Sequence, residues 1–490
     1  MKNSLVERDK QVIWHPYTPQ KYAPDPIPAV KGDGVYLIDA DGNSYIDAIS
    51  SWWVNLHGHA HPYIAEKIYE QAKTLEQVIF AGFTHEPAVQ LAERLLQILP
   101  GDFSKVFYSD NGSTAVEVAI KMAIQYWWNQ EEVGSQESEY KIQDTEYGSR
   151  RSEGGSRKSE SGNDAEEKSR NKIIALNNSY HGDTFGAMSV SDRGIFTLAF
   201  QDKLFEVIFI DSSNLPDIIG NLSKGITNNS PLIAHHLPLT IHPDEIACFI
   251  YEPLIQGAGG MKMYEPGPLN TLLKTFLEHG IICIADEVMT GFGRTGKLFA
   301  SEYMLYKPDI ICLSKGLTGG TMALGVTACS KKIHDAFVSD DKRKTFFHGH
   351  SYTANPLACT AGLASLDLLQ QQKCFQNIQR ISEQHKEFVR KLTIHNPRAG
   401  QACSPPAYRT GRVTTKNHRH FGTILAFEIH TNGKDEYLNN ISATITRKAL
   451  SNGVFLRPLG NTVYIMPPYC ITEIQLQKIY DVIIEILNEI

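Results

Sequence analysis

The sequence predicts an α/β protein in which a mostly parallel sheet forms a large domain and a second, smaller domain is less regular. Three apolar runs rich in isoleucine, "EIACFIYEP", "GIICIADEV" and "PDIICLSKG", are typical of buried strands, and helical patterns alternate with such runs. This alternation favours a parallel sheet. At 490 residues the chain is also longer than one ordinary domain.

The two chain ends differ from the middle. The start is rich in proline, and the last third contains a loop-like tract, "NPRAGQACSPPAYRTGRVTTKNHRH", before the strand-like "GTILAFEIH". We therefore expect residues 1–60 and 346–490 to build the smaller α+β domain together. Residues 61–345 would then form the large domain.

One long helix and one polar tract stand out inside the large domain. "STAVEVAIKMAIQYWW" predicts a helix that begins after the segment from Ser109 to Ser113. From Gln130 to Arg170 the chain is rich in Glu, Ser, Gly, Lys and Arg and has few aliphatic residues. Such a tract buries too little apolar surface to offset the entropy of ordering, so we expect a mobile surface insertion.

Composition excludes several classes of protein. The formal net charge is -7, and no Lys/Arg tract interleaved with aromatics occurs, which argues against nucleic acid as the main partner. The N-terminus has no apolar signal-peptide region, and no run of eighteen apolar residues suggests a membrane span, so we expect a cytoplasmic protein. The eight cysteines form no C-x-x-C pair, which predicts buried free thiols.

Charged side chains follow the three predicted strands. Glu252, Asp286 and Lys315 each come directly after, or one residue beyond, an apolar run. In a parallel sheet, ligands bind at the carboxyl ends of strands, so these groups should converge on one crevice. Partial desolvation would lower the pKa of Lys315 and make its amine a nucleophile. The alternative is a lysine that merely emerges at a sheet edge.

Two further features suggest a pyridinium cofactor with a phosphate. An electron sink of this type needs a carboxylate against its ring nitrogen, and Asp286 precedes Lys315 by about one strand–helix–strand repeat of ~30 residues. Gly112 and Ser113 begin a helix, where backbone N–H groups favour an anion. An ordinary helix cap is the alternative for these two residues.

The segment "GFGRTG", from Gly291 to Gly296, fits the glycine spacing of a dinucleotide-binding turn. In that turn the first glycine closes the strand directly, whereas here "ADEVMT" intervenes and supplies Asp286. We therefore interpret these glycines as a tight turn beneath the site that holds Arg294, and we do not assign an NAD site.

Several motifs resemble the class III aminotransferases, which use pyridoxal 5'-phosphate. They are "NSYHGDTFGAMSVS", "EPLIQGAGGM", "IADEVMTGFGRTG", "LSKGLTGG" and "NPLACTAGLASLDLL". The resemblance implies a fold type I transferase. "WHPYTP", "SSWWVNLHGHAHP" and "RPLGNTVYIMPPY" are similar to members in biotin biosynthesis, which implies 8-amino-7-oxononanoate as acceptor and S-adenosylmethionine or lysine as amino donor. Another ω-amino acid or diamine aminotransferase, an aminomutase and a catalytically silent cofactor-binding protein are the alternatives.

The resemblance also implies roles for the cofactor-site residues. Lys315 would hold the cofactor covalently and carry protons during turnover, and Asp286 would keep the pyridine nitrogen protonated. Gly112 and Ser113 would bind the phosphate. Tyr180 resembles the aromatic residue that stacks on the ring, and it would also contact substrate; a structural tyrosine at a strand end is the alternative.

Two residues are expected to act across a dimer interface. His350 and Ser351 fall where many members of the class carry Pro-Thr, reaching the phosphate from the neighbouring subunit. The serine keeps the hydroxyl, but the histidine departs from the pattern. Gly349 would approach substrate through its backbone. The resemblance therefore implies a homodimer.

Recognition of the keto acid is assigned to one arginine and three aromatic residues. The planar guanidinium of Arg457 suits a carboxylate, which it can bind bidentately. Tyr17, Trp52 and Trp53 would cover the methylene chain, with core packing as the alternative for the tryptophans. The histidines of "HGHAHP" lack thiolate or carboxylate partners at suitable spacing, so we predict no metal site.

Overall fold

The computed structural model describes residues 4–130, 170–212, 243–394, 414–430 and 437–490, and the strands at 232–234 and 237–239. The insertion expected between Gln130 and Arg170 lies outside the described residues except at its two ends. Gln130 is the last residue of a helix. Arg170 donates to the carbonyls of Ile246 and His279, and its guanidinium lies 4.2 Å from the ring centroid of Trp127. Arg170 therefore belongs to the packed part of the chain.

The strands are β1 (Ala29–Asp33), β2 (Tyr36–Asp39), β3 (Ser44–Asp47), β4 (Phe103–Ser109), β5 (Lys172–Leu176), β6 (Ile208–Ile210), β7 (Leu232–Ala234), β8 (Leu237–Leu239), β9 (Ile246–Tyr251), β10 (Ile255–Gln256), β11 (Lys262–Met263), β12 (Ile282–Asp286), β13 (Ile310–Leu313), β14 (Gly325–Ser330), β15 (Thr415–Phe421), β16 (Ile424–Ile429), β17 (Val454–Phe455) and β18 (Thr462–Ile465).

The α-helices are α1 (Leu5–Val12), α2 (Pro62–Thr74), α3 (Glu86–Ile98), α4 (Gly112–Gln130), α5 (Phe185–Ser189), α6 (Pro266–Glu278), α7 (Lys331–Asp335), α8 (Pro356–Leu369), α9 (Gln372–Ile394), α10 (Ile441–Ser451) and α11 (Glu473–Glu489). None of the helices in the described ranges has the length and apolar content that crossing a bilayer requires.

A seven-stranded sheet forms the centre of the molecule, in the order β4-β14-β13-β12-β9-β5-β6. The pairs among β13, β12, β9, β5 and β6 are all parallel, whereas β14 runs antiparallel to both of its neighbours. The prediction of a mostly parallel α/β sheet is therefore confirmed. The three runs proposed as buried strands are β9, β12 and β13, which are adjacent in the sheet.

Helices cover both faces of this sheet. Along β12, Ile282 and Ile284 pack in one apolar cluster with residues of α4, while Cys283 and Ala285 pack on the opposite face in a second cluster that includes Leu272 of α6. A strand covered on both faces needs apolar side chains at every position, which explains its continuous apolar run. Six of the seven described cysteines are buried and all seven are unpaired.

Smaller sheets bring the two chain ends together. β17, from the C-terminal part, pairs in parallel with β3, from the N-terminal part, in a four-stranded sheet of order β1-β2-β3-β17. β15, β16 and β18 form a separate antiparallel sheet. The exact domain boundaries stay a prediction. The position of β17 matters for the site, because the loop after it contains Arg457.

Candidate active site

A cavity of about 710 Å³ opens at the carboxyl ends of β9, β12 and β13. Glu252, Asp286 and Lys315, which follow or end these three strands, all line it. The convergence that the sequence predicted therefore exists, and it arises because parallel strands present their carboxyl ends at one edge of the sheet.

Lys315 begins a short 3-10 turn just after β13. Its backbone has a φ of 44°, in the left-handed region, and its Nζ lies 5.1 Å from the ring centroid of Trp53. Burial lowers the pKa of this amine, although the carboxylates of Asp286 and Glu252 act in the opposite direction. This shift makes the neutral amine, which is the nucleophilic form, more accessible than it is for an exposed lysine.

Asp286 is held in one orientation at the end of β12. One carboxylate oxygen accepts from Nδ1 of His181 at 2.7 Å, and the other accepts from the backbone N–H of Val288 at 3.0 Å. The side chains of Asp286 and His181 are both buried. Nε2 of His181 is also buried and has no hydrogen-bond partner among the residues that the structure describes.

Glu252 closes the cavity beside this pair. Its carboxylate accepts from the backbone N–H of Tyr180 at 2.9 Å and from that of Gly257 at 2.8 Å. Burial raises the pKa of Glu252 to about 7, and the negative charge of Asp286 adds to this, while His181 opposes it. The carboxyl group therefore positions two backbone segments and keeps its proton to an unusually high pH.

This pKa makes the stability of the unliganded protein depend on pH. The folded state binds the Glu252 proton more tightly than the unfolded state, so the stabilising contribution is complete below about pH 4.5 and is lost as the pH rises through about 7. We expect the loss to reach about 3 kcal/mol. In urea unfolding, the free energy of unfolding of the wild type should fall between pH 5 and pH 8. Glu252→Gln should remove this fall, whereas the control Glu278→Gln, at an exposed site, should retain it. The same pH slope in all three proteins would contradict this assignment.

The amino-terminal end of α4 also lines the cavity. Gly112 and Ser113 are its first residues, and the Ser113 hydroxyl accepts from the backbone N–H of Thr184 at 3.0 Å. Gly182 has a φ of 134°, and a Cβ at this position would lie 2.3 Å from Oγ of Ser113. The loop can approach the helix this closely only because residue 182 is glycine.

Aromatic residues from distant parts of the chain meet beside the cavity. Tyr180 lines it, whereas Tyr17, Trp52 and Arg457 are not among its lining residues. The hydroxyls of Tyr17 and Tyr180 lie 3.2 Å apart, and the Tyr17 hydroxyl also donates to the carboxylate of Asp183. The rings of Tyr17 and Trp52 are 5.4 Å apart. Cζ of Arg457 lies 4.4 Å from the Trp52 ring centroid, a cation–π contact. The structure thus brings these four predicted residues into one cluster.

Trp53 packs in the core and also lines the cavity, so both alternatives that the sequence left open for it, core packing and a place in the site, apply. Its indole N–H donates to the hydroxyl of Tyr464 at 3.0 Å, and its side chain is buried in the apolar core. The same ring lines the cavity and faces Lys315.

The segment 349–351 is not part of this cavity in the single chain. The Ser351 carbonyl accepts from the side chain of Gln77, and Nδ1 of His350 accepts from the backbone N–H of Tyr352. Gly349 lies in the same exposed stretch and does not line the cavity. The proposed action of these residues in a neighbouring subunit stays a prediction.

The glycine-rich turn after β12 has a structural role. Gly293 and Gly296 have φ values of 98° and 93°. Between them, the fully buried guanidinium of Arg294 donates to the carbonyls of Pro467, at 2.9 Å, and Trp53, at 3.3 Å. Through these bonds the turn holds the segment of Trp53 against the segment of Pro467. This agrees with the interpretation of the glycines as a tight turn beneath the site.

Two histidines of "HGHAHP" have partners within the fold. Nε2 of His57 lies 3.1 Å from the Ser365 hydroxyl, and Nε2 of His59 lies 2.9 Å from the Asp47 carboxylate. No cluster of three metal-binding side chains occurs in the part of the chain that the structure describes.

Sequence reasoning missed His181 and Asp183 and gave Glu252 no role. His181 and Asp183 follow Tyr180 in "SYHGDT", so proximity to an assigned residue was the available signal. Their partners, Asp286 and Tyr17, lie more than a hundred residues away along the chain. No local pattern links such pairs.

The residues present fit pyridoxal 5'-phosphate. Lys315 offers an amine, Asp286 offers an oriented carboxylate, and the start of α4 offers backbone donors and the Ser113 hydroxyl for a phosphate. Tyr180 adds an aromatic side chain to the wall of the same cavity.

Comparisons with known proteins agree with this chemistry. The model of the class III aminotransferase family matches residues 17–487. The adenosylmethionine-8-amino-7-oxononanoate aminotransferase of Synechococcus elongatus is 42% identical over 478 residues, covering 98% of this chain and 99% of that protein. The crystal structure of the Methanocaldococcus jannaschii aminotransferase of the same name aligns with a TM-score of 0.80 and 32% identity over 98% of each chain. A PLP-bound amine transaminase from an uncultivated Pseudomonas species aligns with a TM-score of 0.79 and 26% identity, also over 98% of each chain. The chain therefore belongs to the class III aminotransferases and is a pyridoxal 5'-phosphate-dependent enzyme.

Proposed function

We propose that this enzyme transfers an amino group from S-adenosylmethionine to 8-amino-7-oxononanoate, giving 7,8-diaminononanoate in biotin biosynthesis. The observation that carries the proposal is the cluster of Arg457, Trp52 and Tyr17 beside the Lys315 cavity. It combines a cation with apolar rings, as a substrate with a carboxylate at the end of a methylene chain requires. The shared name of the relatives in Synechococcus elongatus and Methanocaldococcus jannaschii supports the same assignment.

Different residues of the site would have different roles in the reaction. Bound pyridoxal 5'-phosphate supplies an electron sink for the carbanion that forms when the amino substrate loses its α-proton. Asp286, oriented by His181, would hold a proton on the ring nitrogen, and Gly112 and Ser113 would anchor the phosphate. The Lys315 amine, whose pKa burial lowers, is suited to accept and return a proton inside the cavity.

Acceptor binding uses the outer part of the site. The Arg457 guanidinium has no ion-pair or hydrogen-bond partner among the described residues and rests on the Trp52 ring. It is therefore available for a bidentate contact with the distal carboxylate of the keto acid. The ring of Tyr17, placed by its bond to Asp183, would cover the methylene chain on the way to the reacting ketone.

Assays of different amino donors with different acceptors test the proposal. Purified enzyme should form 7,8-diaminononanoate from 8-amino-7-oxononanoate with S-adenosylmethionine, and lysine is the alternative donor to assay beside it. An ω-amino acid or diamine aminotransferase would instead transfer an amino group from an ω-amino acid or a diamine to pyruvate, and it would not use 8-amino-7-oxononanoate. An aminomutase would isomerise a single substrate without any acceptor. Turnover of pyruvate alone would overturn the assignment.

We also propose that the enzyme is a cytoplasmic homodimer in which His350 and Ser351 reach the phosphate of the partner subunit, next to Gly349, which approaches substrate. Large apolar side chains are exposed in two neighbouring segments, including Ile79 (61%), Phe83 (62%) and Phe347 (74%). A bond from Asn355 to Gln77 joins these segments. Helix α1 has no buried residue in the single chain. Exposed apolar surface of this kind is typical of a protein interface.

Sedimentation equilibrium tests the dimer. The wild type should sediment as a dimer, and Phe83→Glu should shift the equilibrium towards monomer because it places a charge in the apolar surface. Pyridoxal 5'-phosphate should bind the variant more weakly. Leu305→Glu, which changes another exposed apolar residue, serves as the matched control and should leave the dimer intact. A monomeric wild type with full cofactor affinity would contradict the proposal.

A further inference from the structure

The segment that contains both tryptophans has an uncommon backbone conformation. Ser50, Ser51, Trp52 and Trp53 have φ values of 51°, 45°, 70° and 76°, so they form one left-handed turn. The backbone N–H of Val54 closes the turn on the Ser50 carbonyl at 2.9 Å. Residues with a Cβ disfavour this conformation, and a run of four requires support from the surrounding structure.

The turn places two adjacent side chains at different parts of the site. Trp52 contacts Arg457 and Tyr17, which we assign to the acceptor, whereas Trp53 faces the amine of Lys315. Trp53 is also fixed by the bond from its indole N–H to Tyr464. No hydrogen bond from the indole N–H of Trp52 is found within the described ranges, so this ring is held by the backbone of the turn and by its contacts with Arg457 and Tyr17.

A buried carboxylate holds the start of the turn. Asp47, at the end of β3, is fully buried and accepts from the backbone N–H of Ile49 at 3.2 Å and from the Ser51 hydroxyl at 2.8 Å. Nε2 of His59 lies 2.9 Å from the same carboxylate oxygen as Ser51. Asp47 thus ties the residue before Trp52 to the sheet and to a second loop.

We propose that Asp47 is a positioning residue for acceptor recognition. It acts through Ser51 by holding the left-handed turn in the form that sets the Trp52 ring against Arg457. Without this carboxylate the turn should relax towards ordinary backbone geometry, and Trp52 should leave the guanidinium. Trp53 keeps its own anchor on Tyr464, so the environment of Lys315 should change less. This inference rests on the proposed function of Arg457 and Trp52.

The test compares the two half-reactions in three variants. Asp47→Asn should lower kcat/KM for 8-amino-7-oxononanoate about tenfold or more, with the donor half-reaction changed by less than about twofold. Ser51→Ala removes only the hydroxyl and should show a smaller loss of the same kind. Adding Ser51→Gly to Asp47→Asn should restore much of the lost acceptor activity, because glycine accepts a positive φ without steric cost. Ser44→Ala, on the same strand, is the control and should match the wild type.

A spectroscopic measurement separates this inference from the proposed function. In the protein without substrate, Asp47→Asn should reduce the near-ultraviolet circular dichroism of tryptophan, and the additional Ser51→Gly should restore it. This readout holds whichever acceptor the enzyme uses. Equal losses in both half-reactions, or an unchanged tryptophan signal in Asp47→Asn, would overturn the role of Asp47.

Discussion

Lys315→Ala is expected to abolish amino transfer while leaving the fold intact. The side chain lines the cavity at the end of β13, and we propose that its amine both binds the cofactor covalently and moves the α-proton. Loss of both roles should lower kcat by several orders of magnitude. The measurement is single-turnover formation of product over hours, alongside the melting temperature.

Borohydride reduction identifies the lysine directly. In the wild type, reduction after addition of pyridoxal 5'-phosphate should attach the cofactor to the peptide that contains Lys315, as read by mass spectrometry. Lys331→Ala, at the exposed start of α7, should label and react like the wild type. Labelling of another lysine, or turnover by Lys315→Ala, would show that the cavity at the strand ends is not the active site.

Arg457→Ala is expected to cause the second-largest loss, and a selective one. Removal of a charge-assisted bidentate contact should cost roughly 2–4 kcal/mol in kcat/KM for the keto acid, which corresponds to about 30- to 1000-fold. Arg457→Lys keeps the charge but not the planar fork, so its loss should be intermediate. Stopped-flow measurement of each half-reaction separates the acceptor from the donor.

The controls for Arg457 exclude a general effect on folding. Arg447→Ala changes an exposed arginine of α10 and should leave both half-reactions unchanged. Trp52→Ala should behave like Arg457→Ala through lost apolar contact. If Arg457→Ala slowed both half-reactions equally and also lowered the melting temperature, the arginine would have a structural role and the acceptor carboxylate would bind elsewhere.

The central part of the site was predictable because it follows a simple geometric rule. An apolar run that ends in a charged residue is visible in the sequence, and parallel strands bring such endings to one edge. Glu252, Asp286 and Lys315 follow this rule, and Gly112 follows the comparable rule for helix amino termini. The resemblance to class III aminotransferases then implied the chemical roles that we propose for these residues. The small sheet was harder to predict, because β17 has only two residues and pairs with a strand about 400 positions earlier.

By itself, the sequence determined the parallel core, the strand-end carboxylates and lysine, and the helix start at Gly112, since each depends on residue types within one element. Only the tertiary structure decided that His181 orients Asp286, that Asp183 binds Tyr17 and that Asp47 supports a left-handed turn at Trp52. Two of these contacts join residues far apart along the chain. The turn depends on backbone angles that no periodic pattern encodes. Burial of the surrounding groups makes such contacts specific, because a buried polar group without its partner is costly.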